Sequence, residues 1–201
     1  VSESERLTRL LDNVLDFAKI EAGRKTYHLR PCSPSDVVRS AASTMGDLLA
    51  RNGFHAEVVI DEDAPLVLAD RDALEQALLN LLSNAMKYSG RGRKIQLAVH
   101  SGNAQVAIDV ADDGIGIPHA EQSRIFEKFY RVNDPEHASI PGTGLGLTLV
   151  AFIAAGLQAM YFSSAVAEGQ EAFTREAERQ VVPHPPVAES DGLPVPALVG
   201  G

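Results

Sequence analysis

The chain has 201 residues, of which 45% are hydrophobic, and its formal net charge is −9. This length suits one domain of ordinary size with short attachments, and the composition supports a hydrophobic core. The acidic balance argues against a nucleic-acid partner, because nucleic-acid phosphates would be repelled. The single cysteine, Cys32, excludes an internal disulfide framework, and no His/Cys spacing predicts a zinc site.

Neither a secretory signal nor a membrane span is predicted. The longest apolar run, residues 149–162, is shorter than the roughly 20 residues that cross a bilayer. Because the chain begins at Val1 within a predicted helix, we interpret it as part of a longer protein.

The first predicted helix covers residues 4–22, and Gly23 is its predicted C-cap. Its apolar residues follow the a/d spacing of helical bundles and coiled coils: Leu7, Leu10, Val14 and Phe17. This spacing favours a bundle or intersubunit helix. The alternative is a surface helix that packs on its own domain.

The middle of the chain mixes helices and strands without regular alternation. Ser35 is the predicted N-cap of a second helix that continues to about Asn52 and ends at Gly53. The predicted extended segments are residues 27–32, 55–60, 66–69, 94–100 and 105–110, the last two joined as a hairpin at Gly102-Asn103. This order favours an α+β sandwich over a doubly wound fold.

A central helix is predicted after Asp70, its N-cap. At helical spacing its polar residues form one stripe: Asn80, Asn84, Lys87 and Tyr88. Its apolar residues form another, suited to a core: Leu74, Leu78, Leu81, Leu82 and Ala85. Two carboxamides, an ammonium and a phenol beside a core suit a charged, partly flat ligand. An ordinary solvated polar face is the alternative.

Two glycine runs follow the hairpin. Residues 112–118, D-D-G-I-G-I-P, allow a sharp turn and close approach to a ligand, although such strings also occur in ordinary turns. Residues 141–147, P-G-T-G-L-G-L, open onto an apolar helix predicted from Leu147 to about Gln158, and amides at a helix N-terminus bind phosphates. Residues 119–141 between the runs are either core or a hinged lid.

Four motifs now stand in one order: N-x-x-x-N-A-x-K-Y, D-x-G-x-G-I, a Phe-x-x-Phe segment and G-T-G-L-G-L. Together they resemble the catalytic ATP-binding domain of sensor histidine kinases of two-component systems. That domain belongs to the wider ATPase group of gyrase, heat-shock chaperones and mismatch-repair proteins. The resemblance covers about residues 30–158. The first helix, R-L-L-D-N-V-L-D-F-A-K-I-E-A-G-R, resembles the end of the second dimerisation helix of such kinases.

The resemblance implies a two-layer α+β sandwich of helices on a mixed, mainly antiparallel sheet, preceded by one bundle helix. Residues 1–24 would be the end of the dimerisation helix, and residues 25–175 the ATP-binding domain. From about residue 159 the chain departs from the family's closing strands. Residues 176–201 hold many prolines and are predicted to be a disordered tail.

The resemblance also implies a role for each motif residue, with ATP and Mg²⁺ as the bound groups. Asn84 would be the metal ligand, Asn80 would support the metal or its waters, and Lys87 would reach a phosphate. Tyr88 would pack on the purine or close the pocket, and Asp112 would accept from the adenine amino group. The glycine runs would shape the pocket through Gly114, Gly116, Gly142, Thr143, Gly144, Leu145 and Gly146. Lys128 or Arg131 could offset phosphate charge.

Asn80 distinguishes kinases from hydrolysing relatives, which resemble one another in a Glu general base at this place. An amide cannot take a proton from water, so little ATP hydrolysis is predicted. Asn80 and Lys87 are the predicted catalytic residues of phosphoryl transfer. The acceptor histidine of the family stands in a string such as H-E-x-R-x-P, and none of the six histidines has that context. We therefore expect the acceptor to lie outside these residues.

The predicted partners are the chain's own dimerisation domain, in a homodimer of the full protein, and a response regulator. We expect no membrane contact within these residues. The expected location is the cytoplasm, which also suits the cytoplasmic part of a membrane-anchored sensor. The alternatives are a non-catalytic module that dimerises or docks through the first helix, and another ATPase of the same group.

Overall fold

The computed structural model describes residues 3–22, 24–102, 105–132, 140, 142–158 and 182–183. Within these residues the chain forms four α-helices and seven β-strands. The helices are α1 (Glu3–Glu21), α2 (Pro34–Arg51), α3 (Arg71–Tyr88) and α4 (Gly146–Gln158). The strands are β1 (Thr26–Tyr27), β2 (Arg30–Cys32), β3 (His55–Ile60), β4 (Val67–Ala69), β5 (Lys94–Gly102), β6 (Gln105–Asp112) and β7 (Val182–Pro183).

The main sheet has the strand order β3-β5-β6. Strand β3 runs parallel to β5, whereas β5 and β6 form an antiparallel hairpin that pairs Gly102 with Gln105. Strand β2 pairs antiparallel with β4, and β1 with β7. The pairing is therefore mixed and mainly antiparallel, as predicted.

Helices α2 and α3 cover one face of the main sheet. Ile95, Leu97 and Val99 of β5 are buried beneath them, because alternate side chains of a strand point to the same face. The helices contribute Val37, Val38, Ala41, Met45 and Leu49 from α2 and Leu78, Leu82 and Ala85 from α3. This arrangement confirms the predicted α+β sandwich and directs the opposite, polar side of α3 away from the sheet core.

A second buried cluster joins α1 to α3 and α4. Ile20, near the end of α1, is fully buried there, together with Ala73 and Ala77 of α3 and Leu149 and Ile153 of α4. Earlier in α1 three apolar side chains are exposed instead: Leu11 (59%), Val14 (44%) and Leu15 (49%). One end of α1 therefore packs on its own domain, and an apolar stretch earlier in the helix is exposed. The dimer itself stays a prediction.

The helix caps follow the prediction at α3 and differ at α2. Asp70 caps α3, and its carboxylate accepts from the amide of Ala73 at 3.0 Å. The predicted cap of α2, Ser35, is wrong: Ser33 is the N-cap and accepts from the amide of Asp36 at 3.2 Å. The physical reason is Pro34, whose fixed φ and missing N–H suit the first helical position. Ser35 is buried, and its hydroxyl donates to the carbonyl of Asp61.

Two glycines at α2 offer a matched stability test. An added Cβ would meet nothing within 4 Å at either Gly46 or Gly53, but Gly53 has φ +75° and Gly46 lies inside the helix. Gly46→Ala should therefore stabilise the fold by roughly 0.5–1 kcal/mol, because alanine favours helix. Gly53→Ala should destabilise it by about 1 kcal/mol, because φ is positive. Urea unfolding measures both, and shifts of the same sign would contradict the α2 boundary.

The second cluster also contains Tyr27, whose phenol is buried. Its hydroxyl is buried with no hydrogen-bond partner in the part of the chain that the structure describes. Burial, aided by the carboxylates of Asp70 and Asp16, raises the pKa of Tyr27 from its ordinary 10.0 to about 12. A raised pKa favours the neutral phenol in the folded state. Its contribution to stability is therefore complete below the unfolded pKa and is lost as pH rises through the folded one.

Tyr27→Phe should accordingly stabilise the fold slightly at pH 7, because it removes a buried hydroxyl that has no bonding partner among the described residues. In the alkaline range that the two pKa values of Tyr27 span, about 10 to 12, the variant should lose less stability than the wild type. Urea midpoints measured across this range test the expectation. Tyr130→Phe is the control for the loss of a phenol elsewhere in the chain, since the Tyr130 hydroxyl, unlike that of Tyr27, bonds to a side chain, Glu121. An identical alkaline loss in Tyr27→Phe and the wild type would contradict the assignment.

The predicted departure of the chain after residue 159 and the predicted tail, residues 176–201, lie outside the described residues, apart from the two residues of β7. The domain boundaries therefore stay predictions. No helix within the described ranges is long and apolar enough to cross a membrane.

Candidate functional site

The predicted polar stripe lies on α3, beside rather than within the sheet core. Asn80, Asn84 and Tyr88 are half-buried, and Lys87 is exposed. The buried side of the same helix holds Ala73, Ala77, Leu78, Leu82 and Ala85. The stripe is therefore accessible along a helix whose other side is held by packing.

The first glycine run is fastened to the C-terminal end of α3. The amide of Ile115 donates to the carbonyl of Tyr88 at 3.0 Å, and the amide of Gly114 donates to Asp112 Oδ1 at 2.9 Å. A Cβ at Gly114 would stand 2.5 Å from the Tyr88 carbonyl oxygen, so only glycine fits there. Gly114 thus lies between the Tyr88 carbonyl and the Asp112 carboxylate, which brings Asp112 near the end of the stripe. Gly116 has φ +70°.

The second glycine run lies across the stripe. An added Cβ at Gly146, the first residue of α4, would stand 3.7 Å from Asn80 Oδ1 and 3.8 Å from Asn84 Nδ2. A Cβ at Gly142 would stand 4.0 Å from the hydroxyl of Tyr88. The structure therefore brings the two asparagines, the tyrosine and this glycine run together, as a ligand site between them requires.

Gly144 holds the second run against the preceding segment. Its φ is +72°, and an added Cβ would stand 2.6 Å from the carbonyl carbon of Phe129, so a side chain there would clash with backbone. The buried hydroxyl of Thr148 donates to the carbonyls of Glu127 and Gly144, at 3.1 and 3.3 Å. Within the run, Thr143 Oγ1 accepts from the amide of Leu145 at 3.4 Å.

The segment before the second run contacts α1. Phe129 is 64% exposed and has φ 61°, and its ring meets that of Phe17 edge-on at 5.8 Å. Lys128 pairs with Glu21 of α1, and the Arg131 guanidinium donates to the carbonyl of Ile140. Lys128 therefore contacts α1, and Arg131 contacts its own segment, residues 119–141. Their role in offsetting phosphate charge stays a prediction.

Sequence reasoning missed a set of polar contacts between α1 and α3. Asn13 Nδ2 donates to Asn80 Oδ1 at 3.3 Å, and Gln76 Nε2 donates to Asp16 at 2.6 Å. Lys25 also binds Asp16, at 3.2 Å. One available signal is that Gln76 precedes Asn80 by one helical turn and so extends the stripe. Nothing in the spacing of Asn13 indicates which helix it faces.

The residues present fit a magnesium–nucleotide complex. Asn80 Nδ2 is buried without a partner among the described residues, and a phosphate or metal-bound water could accept its hydrogen. A carboxamide oxygen such as that of Asn84 is a suitable Mg²⁺ ligand. Gly146 presents no side chain to the two amides, and an added Cβ there would make ordinary contacts with both. In the described part of the chain, no cluster of three or more His, Cys, Asp or Glu side chains forms a metal site of the all-protein kind.

A protein-family model described as histidine kinase-, DNA gyrase B- and HSP90-like ATPase matches residues 69–177. The chain is 30% identical over 147 residues to sensor histidine kinase YcbM of Bacillus subtilis, covering 73% of this chain and 47% of that protein. Full-length ShkA in complex with AMPPNP superposes with a TM-score of 0.65 at 29% identity, over 76% of this chain and 31% of that one.

A third neighbour shares the fold alone, at 22% identity and a TM-score of 0.54. It is histidine kinase ThkA in complex with the response regulator protein TrrA, matched over 64% of this chain and 38% of that one. The chain spans less than half the length of the curated relatives that it matches.

Proposed function

Because the chain belongs to the histidine kinase-, DNA gyrase B- and HSP90-like ATPase family and carries a histidine kinase catalytic ATP-binding domain, we propose that it binds Mg-ATP and transfers the γ-phosphoryl group to a protein histidine. One observation carries the proposal. Gly146 lies against both Asn80 and Asn84, and this contact supports a site between the glycine run and the polar stripe.

In this proposal the wall on α3 holds the metal and the phosphates. Asn84 ligates Mg²⁺, Asn80 donates to a phosphate or metal-bound water, and Lys87 binds a phosphate as a point charge. The bound metal neutralises phosphate charge. The amides from Gly142 to Gly146, with Thr143, Gly144 and Leu145 between them, cradle the phosphates at the start of α4.

The base end of the nucleotide lies toward the first glycine run. Asp112 accepts from the adenine amino group, and Gly114 and Gly116 allow the backbone to approach the purine. Tyr88 covers the base. Its backbone carbonyl already holds Ile115, so the end of α3 and this run act as one unit.

The identity of residue 80 favours transfer to a protein over hydrolysis. A carboxamide has no basic atom that could take a proton from water, whereas a carboxylate at this place could. Positioning and charge stabilisation, which the stripe supplies, are what phosphoryl transfer chiefly needs. The acceptor in our proposal is a histidine outside these 201 residues, since no histidine here stands in the family's acceptor context.

The proposed partners follow from α1 and from the neighbours. The exposed Leu11, Val14 and Leu15 suit a second dimerisation helix, so the full protein acts as a homodimer. The complex of ThkA with TrrA supports a response regulator as the partner that receives the phosphoryl group. We place the domain in the cytoplasm, where ATP is available.

Incubation with γ-labelled ATP and Mg²⁺ tests the reaction class. We expect ATP to bind, phosphate to be released far more slowly than by hydrolysing members of the family, and no acid-labile label on this chain alone. Added dimerisation domain that bears the acceptor histidine should become labelled. Steady phosphate release at the rate of the hydrolysing relatives would favour an ATPase instead. Absence of binding would favour a non-catalytic docking module.

A further inference from the structure

Helices α1 and α3 meet along a line of polar pairs. Asn13 faces Asn80, and Asp16, one turn later in α1, faces Gln76, one turn earlier in α3. Residue numbers therefore rise along one helix as they fall along the other, which is antiparallel packing. The same face of α1 ends at the buried Ile20. The contact of Asn13 is thus part of a built interface.

Asp16 anchors this interface near Asn13. Burial raises the pKa of the Asp16 carboxyl, but hydrogen bonds from Gln76 and Lys25 and the charges of Lys25 and Lys19 outweigh it, so the net shift is downward. The ionised carboxylate is therefore the form that the folded state favours. Its two hydrogen-bond partners lie on α3 and on the segment after α1, so Asp16 ties α1 to both.

Asn80 has one amide atom engaged by α1 and one unused. Its Oδ1 accepts from Asn13, and its Nδ2 is buried with no partner within the described ranges. Because a carboxamide is planar, fixing the oxygen also fixes the direction of the N–H groups. A buried unpaired donor costs free energy unless a ligand supplies its acceptor.

We propose that Asn13 is a positioning residue of the nucleotide site: its hydrogen bond holds the Asn80 carboxamide so that Nδ2 is kept as a donor for Mg-ATP. The inference rests on the proposed function and adds a residue of α1 to it. Asn13 itself touches no phosphate and acts only through Asn80. The dimerisation helix therefore contributes to nucleotide affinity from within the same chain.

A double-mutant cycle read by calorimetric titration with Mg-ATP tests this. Asn13→Ala should weaken binding about three- to tenfold, the worth of one hydrogen bond, and should have no effect when Asn80 is already alanine. Val14→Ala, an exposed neighbour in α1, should leave affinity unchanged. The unfolding transition of Asn13→Ala should stay cooperative, with its midpoint lowered only by the loss of one hydrogen bond.

The outcomes separate the two proposals. Wild-type chain that does not bind Mg-ATP overturns the proposed function, and the role of Asn13 with it. Binding that Asn13→Ala does not weaken overturns the role of Asn13 alone. The role is also overturned if Asn13→Ala lowers Mg-ATP affinity equally whether residue 80 is Asn or Ala. Asn13 would then act through the general docking of α1.

Discussion

Asn84→Ala is expected to weaken binding of Mg-ATP by about ten- to a hundredfold, the largest single effect that the site predicts. Hydrogen bonds and ligation to charged groups are worth roughly 1.5–3 kcal/mol, and 1.4 kcal/mol is a tenfold change in affinity. The Asn84 amide lies beside Gly146 at the centre of the site. Asn84 is half-buried on α3, so alanine leaves no large cavity, and helix propensity rises.

The metal provides the internal control for Asn84→Ala. If Asn84 acts as a Mg²⁺ ligand, the variant and the wild type should bind ATP equally weakly in EDTA and differ only when Mg²⁺ is present. Calorimetric titration under both conditions measures this difference. An equal loss with and without Mg²⁺ would show that Asn84 contacts the nucleotide or supports the fold, and would remove it as the metal ligand.

Gly146→Ala should also lower Mg-ATP affinity by at least about tenfold, while leaving the fold intact. The added methyl would make ordinary contacts of 3.7 to 3.9 Å with the amides of Asn80 and Asn84. At the first residue of α4, alanine is a better helix former than glycine. The methyl, however, occupies the space beside both amides in which a phosphate would lie. Loss of affinity without loss of stability is therefore expected.

Gly144→Ala is the matched contrast, two residues away in the same run. Its Cβ would stand 2.6 Å from backbone of Phe129, and its φ is +72°. We expect destabilisation of roughly 1–3 kcal/mol in urea unfolding, from backbone strain and displacement of the preceding segment. If Gly146→Ala binds Mg-ATP as the wild type does, the glycine run is not the phosphate cradle.

The helix that carries the candidate site, and its N-cap, were predictable from sequence because local chemistry decides both. The i, i+4 and i+7 spacing of Asn80, Asn84 and Lys87 placed them on one stripe, because helix geometry is periodic. Asp70 was recognisable as a cap because a short acidic side chain before an apolar-periodic segment can accept from the free amides of a helix. The order of the four motifs predicted the family.

Contacts between distant parts of the chain were not predictable from sequence. Nor was the choice between two neighbouring residues that could both cap a helix. Nothing near Asn13 in the chain indicates Asn80, 67 residues away, because the pairing depends on how α1 docks. The positive φ of Phe129 arises where the segment meets Gly144, which periodicity does not encode. At α2 two serines competed for the cap, and the fixed φ of Pro34 between them decided for Ser33.

Calorimetric titration of the wild-type chain with ATP, in Mg²⁺ and in EDTA, tests the central claim most directly. We predict one saturable site per chain in Mg²⁺ and clearly weaker binding in EDTA, because the Asn84 amide and the phosphates share the metal. A non-hydrolysable ATP analogue should compete with ATP for this site and bind with the same stoichiometry. No saturable binding in Mg²⁺, or binding indifferent to the metal, would contradict the account.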